Sequence, residues 1–155
     1  GIGFNGLYLN LAGREGEGCV DPSEAEALLA ELKAKLEALE DEDGASVVLR
    51  ADLASSVYTG ERLAEAPDLL VGYEQGYGNS DEASLGQIPH AVLSDNLGGT
   101  FNGSHLMAPD VVLGTVLANF PLTLEDPRLE DLTVSILEYY GLQAEPEMDG
   151  RNAFE

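Results

Sequence analysis

The side chains in this 155-residue chain most able to hold a metal or attack a substrate are few: two histidines and one cysteine. His105 has the setting best suited to chemistry. It lies in Asn102-Gly103-Ser104-His105-Leu106-Met107-Ala108-Pro109-Asp110, at the end of a glycine-rich stretch and just ahead of an apolar run. An imidazole there projects from a sheet edge, where open α/β sheets build their sites. One histidine is not a metal centre, which needs three or four donors, and no clear partner set accompanies it. Cys19, with Arg14 its only basic neighbour, reads as a small buried hydrophobe rather than a nucleophile. His90, after Pro89, reads as a surface histidine, and Arg14-Glu15 as a turn-stabilising pair rather than a substrate contact. Tyr73 and Tyr77 could stack on a base, but core or loop packing is the commoner use of such residues. There is no phosphate loop with lysine, no Gly-x-Ser-x-Gly elbow, no His-Glu-x-x-His and no paired CxxC. The carboxylates lack the Asp-x-Asp-x-Asp-Gly spacing of a calcium loop, so they read as solvated acids rather than a cation store.

The elements that must position these residues can be read from the pattern. Leu7-Tyr8-Leu9-Asn10-Leu11 alternates apolar and polar residues and predicts a strand. Asp21-Pro22-Ser23-Glu24 combines a capping acid with proline at the first helical position. Ala25, Leu28, Leu29, Leu32, Leu36 and Leu39 then keep helical spacing to about Glu40. Asp41-Glu42-Asp43-Gly44 ends that helix, Val47-Val48-Leu49 predicts a short strand, and Ala51 to Leu63 reads as irregular. Leu69 to Tyr73 is a continuous apolar run, typical of a strand buried on both faces. Glu74 to Gly103 is a long functional loop by composition. Val111 to Leu117 predicts a second buried strand. Asp126-Pro127 repeats the helix start, with Leu129, Leu132, Ile136, Leu137 and Tyr140 as its stripe and Gly141 as its stop. The tail from Gln143 to Glu155 reads as polar surface. This order predicts an α/β layer structure, one domain over residues 1–155.

A resemblance adds to this reading. The opening Gly3-Phe4-Asn5-Gly6-Leu7-Tyr8-Leu9-Asn10-Leu11-Ala12-Gly13-Arg14-Glu15-Gly16-Glu17-Gly18 resembles a segment of the type I phosphodiesterase/nucleotide pyrophosphatase family, part of the alkaline phosphatase superfamily. Similar segments follow in the family's order: Tyr58-Thr59-Gly60, Pro67-Asp68-Leu69-Leu70-Val71-Gly72-Tyr73-Glu74-Gln75-Gly76-Tyr77, Asp95-Asn96, and Gly103-Ser104-His105-Leu106-Met107 with Pro109-Asp110. The closing helix, with Leu132 to Leu137 and Tyr140-Gly141, is similar too. The resemblance implies an alkaline-phosphatase-like layered sandwich, a mostly parallel sheet with flanking helices, of which this chain is the C-terminal portion. It implies two zinc ions that clamp a phosphoryl centre and activate a Thr or Ser nucleophile. His105 matches the histidine of the family's Gly-Asp-His motif, the last metal ligand in sequence order. Ser104 departs from that motif, where an acid would orient the ring. The family's nucleophile, its first Asp ligands and its Asp-His pair precede the matched region. The expectation is therefore a C-terminal part that is inactive alone, its full-length protein acting on a phosphoester or nucleotide. The contrasting expectation is a non-catalytic acidic interaction or assembly module that keeps the fold without the chemistry.

Composition bounds these readings. At 44% hydrophobic and 23% charged the chain is globular in composition, and its net charge of −22 repels nucleic-acid polymers and anionic membranes. The charge does not oppose phosphate chemistry, because in the family metal ions meet the phosphate. It fits either an ordinary acidic protein or one adapted to high salt, where carboxylates hold water and cations and are screened from one another. A single cysteine excludes an internal disulfide. No apolar run is long enough to span a bilayer. No secretory leader is visible, which gives a cytoplasmic expectation, and a cut core would favour self-association.

Overall fold

The apolar run at 69–73 forms the middle of a sheet in the computed structural model, which describes residues 5–80, 82, 85–98, 103 and 105–154. The chain is an α/β protein that divides into two units, Gly1–Leu113 and Gly114–Glu155. In the first, β1 (Gly6–Leu7), β2 (Val48–Leu53) and β3 (Leu69–Tyr73) form one three-stranded sheet in the order β1-β3-β2. Both pairings are antiparallel, with Gly6 opposite Leu70 on one side and Ala51 opposite Val71 on the other. These strands thus differ from the mostly parallel sheet expected. The cause is local: Ala54 N–H donates to the Asp68 carbonyl at 3.2 Å. The end of β2 and the start of β3 are thereby fastened side by side, which makes the two strands run in opposite directions.

Helix α1 (Ala25–Glu37) begins as its sequence requires. The Asp21 carboxylate accepts from Ser23 N–H at 2.8 Å, and Pro22–Glu24 makes one tight turn into the helix. It stops three residues short of Glu40, so Leu39 lies outside it, yet Leu36 and Leu39 both pack on the core of Val47, Val48 and Val71. Two α1 side chains also reach the outer edge of β2. Glu37 accepts from Ala51 N–H at 3.0 Å, and the Lys33 ammonium donates to the Ala51 carbonyl.

Four expectations need correction. The 7–11 strand is reduced to β1, because Leu9 N–H goes to the Asp68 carboxylate and the Asn10 carbonyl is taken by Cys19 and Val20. That loop closes so tightly at Gly18 that a Cβ there would sit 1.9 Å from the Leu11 carbonyl oxygen. The 47–49 strand is longer than expected, running to Leu53 and then into the short helix α2 (Ala54–Val57) where an irregular stretch was expected. Val111 to Leu117 is not a strand; after a turn at Pro109–Val111, Leu113 and Leu117 stand 83% and 93% exposed. Strand β3 is already flanked on both sides, and Ala51 on the outer edge of β2 is occupied by α1, so neither of these strands pairs with 111–117.

The fourth correction concerns the second unit. Helix α3 (Leu129–Tyr139) starts at Arg128, whose N–H donates to Asp131 at 2.9 Å, rather than at Asp126. Gly141 ends it at φ 73°, as expected. Its buried face is Asp131, Val134 and Ser135, whereas Leu129, Ile136 and Tyr140 of the expected stripe are exposed. The tail supplies the packing partner and is not merely surface. Arg151 N–H donates to Asp131 at 2.7 Å, Ala153 N–H donates to the Ser135 hydroxyl at 2.7 Å, and Ala153 is fully buried. Among the described residues no helix is long and apolar enough to cross a membrane.

Candidate functional site

The long loop after β3 returns to the sheet at Ala108. Its N–H donates to the Tyr73 carbonyl at 2.9 Å, and its side chain is fully buried over Gly72. A methyl group at Gly72 would lie 2.9 Å from the Ala108 Cβ, so the return path needs glycine beneath it. Two residues on, Asp110 accepts from the Arg50 guanidinium of β2 at 3.1 Å, and the same guanidinium donates to Asp52 at 2.6 and 3.0 Å. Both carboxylates hold the Arg50 pKa above its ordinary value. His105 lies three residues before this anchor and is exposed. Ser104 and Asn102, like Gly3 and Phe4 of the opening motif, lie outside the described residues.

Among the described residues, no three histidine, cysteine, aspartate or glutamate side chains converge to hold a metal ion. The described residues therefore do not by themselves fit the two-zinc centre that the resemblance implies. His105 stands as one accessible donor. His90 is exposed, as expected. Cys19 is exposed rather than buried, because the 10–20 loop turns it outward, where its sulfur accepts from the Asn10 amide at 3.4 Å.

The Arg14-Glu15 pair does stabilise a turn, Arg14 Nε donating to Glu15 at 2.6 Å, but its larger role was not visible in the sequence. The rest of the guanidinium grips Asp68 through two bonds of 2.8 and 2.7 Å and also donates to the Leu9 carbonyl at 2.8 Å. Asp68 meanwhile accepts from Leu9 N–H at 2.6 Å. The Arg14 hydrogen bonds hold the Asp68 carboxyl below the ordinary carboxylate range. The pair sits at one end of a hollow of about 170 Å³ walled by Leu53, Ala54, Leu63 and Pro67. Its polar groups are spent on one another, which suits a structural joint better than a ligand seat. Tyr73 and Tyr77 pack on the Val47–Val48–Val71 core, in keeping with the packing reading. The Tyr77 hydroxyl donates to Asp41 at 2.5 Å, and that carboxylate pushes the phenol pKa up.

Sequence reasoning singled out His105 and Arg14 and named Asp110 only as part of a matched segment; Arg50 and Asp52 were not picked out. The bond from Arg50 to Asp110 spans 60 residues, which no local spacing carries. No protein-family model matches this chain, and no curated protein and no solved structure matches it.

Proposed function

We propose that this chain is the C-terminal part of a metal-dependent phosphohydrolase similar to the phosphodiesterases and nucleotide pyrophosphatases, with His105 supplying one zinc ligand. The nucleophile and the remaining ligands come from residues outside this chain, so the chain alone does not hydrolyse phosphodiesters. Its three antiparallel strands are then one margin of a larger, mostly parallel sheet in a layered sandwich. The substrate is a phosphoester or nucleotide, and zinc, when bound, supplies the charge that meets the phosphoryl oxygens.

The observation that carries this reading is the pairing of the matched segments. Arg14 of the first grips Asp68 of the segment that begins at Pro67, 54 residues later. Gly72 and Tyr73 of that second segment receive Ala108, within the segment that contains His105. Pieces similar to one family in sequence order thus pair in space, the last of them being the segment that carries His105.

The test is zinc content and p-nitrophenyl phosphodiester hydrolysis of the intact protein and of His105→Ala. Both should fall sharply in the variant. Unchanged metal content and unchanged rate would overturn the proposal and leave the non-catalytic acidic module as the reading.

A further inference from the structure

We propose that the outward face of α3 is a dimerisation surface, on which a second copy of this chain lays its own α3 antiparallel to the first. The helix is turned inside out. Asp131, Val134 and Ser135 face the tail, because Arg151 N–H and Ala153 N–H bond the Asp131 carboxylate and the Ser135 hydroxyl. The apolar side chains are thereby sent to solvent: Leu129, Ile136, Tyr139 and Tyr140 stand 80%, 52%, 68% and 75% exposed. A surface helix ordinarily does the reverse.

The face is continuous. At 3.6 residues per turn, Leu129, Leu132, Thr133, Ile136, Tyr139 and Tyr140 fall within a sector about 120° wide and about 16 Å long. Phe120 widens it, its ring stacked on Tyr139 at 6.4 Å, and Tyr140 meets Tyr139 edge-on at 5.4 Å. With large side chains presenting on the order of 200 Å² each when fully open, the exposed parts come to roughly 600 Å². That equals the largest apolar patch of an ordinary monomer. Two copies would cover about 1,200 Å² together, where specific interfaces begin.

Charge and shape select the occupant. Glu130, Asp131 and Glu138 all lie outside the sector, so it is a neutral strip on a chain of net charge −22. Two copies can meet there without setting carboxylate on carboxylate, whereas a cationic partner would be drawn to the acids around it. The strip is broad at its C-terminal end, with three rings, and narrow at Leu129. A two-fold axis between Val134 and Ser135 sets Leu129 of each copy against Tyr140 of the other, and Thr133 against Ile136. Each broad end then meets a narrow one, in a contact that closes on itself. Parallel helices would crowd rings on rings and leave the leucines apart.

Sedimentation equilibrium of the 155-residue chain should show monomers and dimers with a dissociation constant on the order of 10 μM. Added KCl should tighten the dimer by screening the repulsion between copies. Leu129→Lys and Tyr140→Glu should each weaken it roughly a hundredfold, since each buries unpaired charge. Both residues are exposed in the monomer, so melting temperatures of dilute samples should hardly change. Mixing the two variants should restore dimers, because the new lysine and glutamate then face each other. A native chain still monomeric at millimolar concentration would overturn the proposal. So would a dimer indifferent to both variants, or growth beyond two copies. Dimers lost in each variant and not restored on mixing would overturn the antiparallel register. A longer, monomeric protein in which hydroxyl-radical footprinting finds Ile136 and Tyr140 shielded would give the face to the rest of that protein and overturn the dimer.

Discussion

At the scale of single residues the most committed group is Asp68. One carboxylate accepts two guanidinium bonds from Arg14 and one backbone bond from Leu9, and so ties β1, the loop after it and β3 together. Asp68→Asn should cost about 1–2 kcal/mol, the lower part of the range for charged hydrogen bonds because the pair is partly solvated. The sign of its pH dependence follows from the lowered carboxyl pKa. Stabilisation by the ionised group is complete above the unfolded carboxyl value, about pH 4, and is lost as pH falls through the lower folded value. Melting curves of the native chain and Asp68→Asn should therefore differ by a constant gap near neutrality. The gap should close on acidification below about pH 4. Of this joint, only the Arg14-Glu15 half was legible in the sequence, since adjacent residues announce a turn. Asp68 looked like a mere prelude to a strand, and its partner is 54 positions away.

At the scale of elements, the signals that held were those written within a few neighbouring residues. Asp21-Pro22 starts a helix, Gly141 stops one, and Leu69 to Tyr73 is a central strand, because capping, positive φ and burial on two faces each leave a local trace. The signals that failed depend on what an element meets. The strand expected over Val47-Val48-Leu49 goes on through Arg50, Ala51 and Asp52, whose two charged side chains pair with each other while the backbone continues the ladder. Val111 to Leu117 looked apolar enough for one and does not form it. In the second unit the hydrophobic stripe of α3 suggested the buried face, but a carboxylate, a valine and a hydroxyl occupy it because the tail brings backbone donors to them. Ser135→Ala tests that arrangement. It strands the buried Ala153 N–H and should cost about 1–3 kcal/mol, with amide exchange at Ala153 rising before exchange in the middle of α3. Replacement of Gly141, held at φ 73°, by alanine should cost about 1 kcal/mol in the same melts.

At the scale of the whole molecule the charge acquires a structure. Each of the seven lysine and arginine side chains has a carboxylate oxygen within 3.9 Å, so every built-in cation is already committed. The excess acids must find their counter-charge in solution. Raising KCl from millimolar to multimolar should lift the melting temperature by roughly 10 °C, on the order of 3 kcal/mol for a chain of this size. A melting point indifferent to salt would count against adaptation to brine. The two bonds that α1 sends to Ala51 also matter at this scale. Exposed sheet margins are where proteins stick to copies of themselves, since a bare row of donors and acceptors templates any extended chain that drifts past. Here the row on β2 is plugged by a lysine and a glutamate, and the Leu53 carbonyl is taken by the Ser56 hydroxyl as well. Glu37→Ala should unplug it and promote concentration-dependent association, visible by light scattering. The β2 side of the sheet is thus a finished margin, and a strand that lengthened the sheet there would first have to displace both α1 side chains.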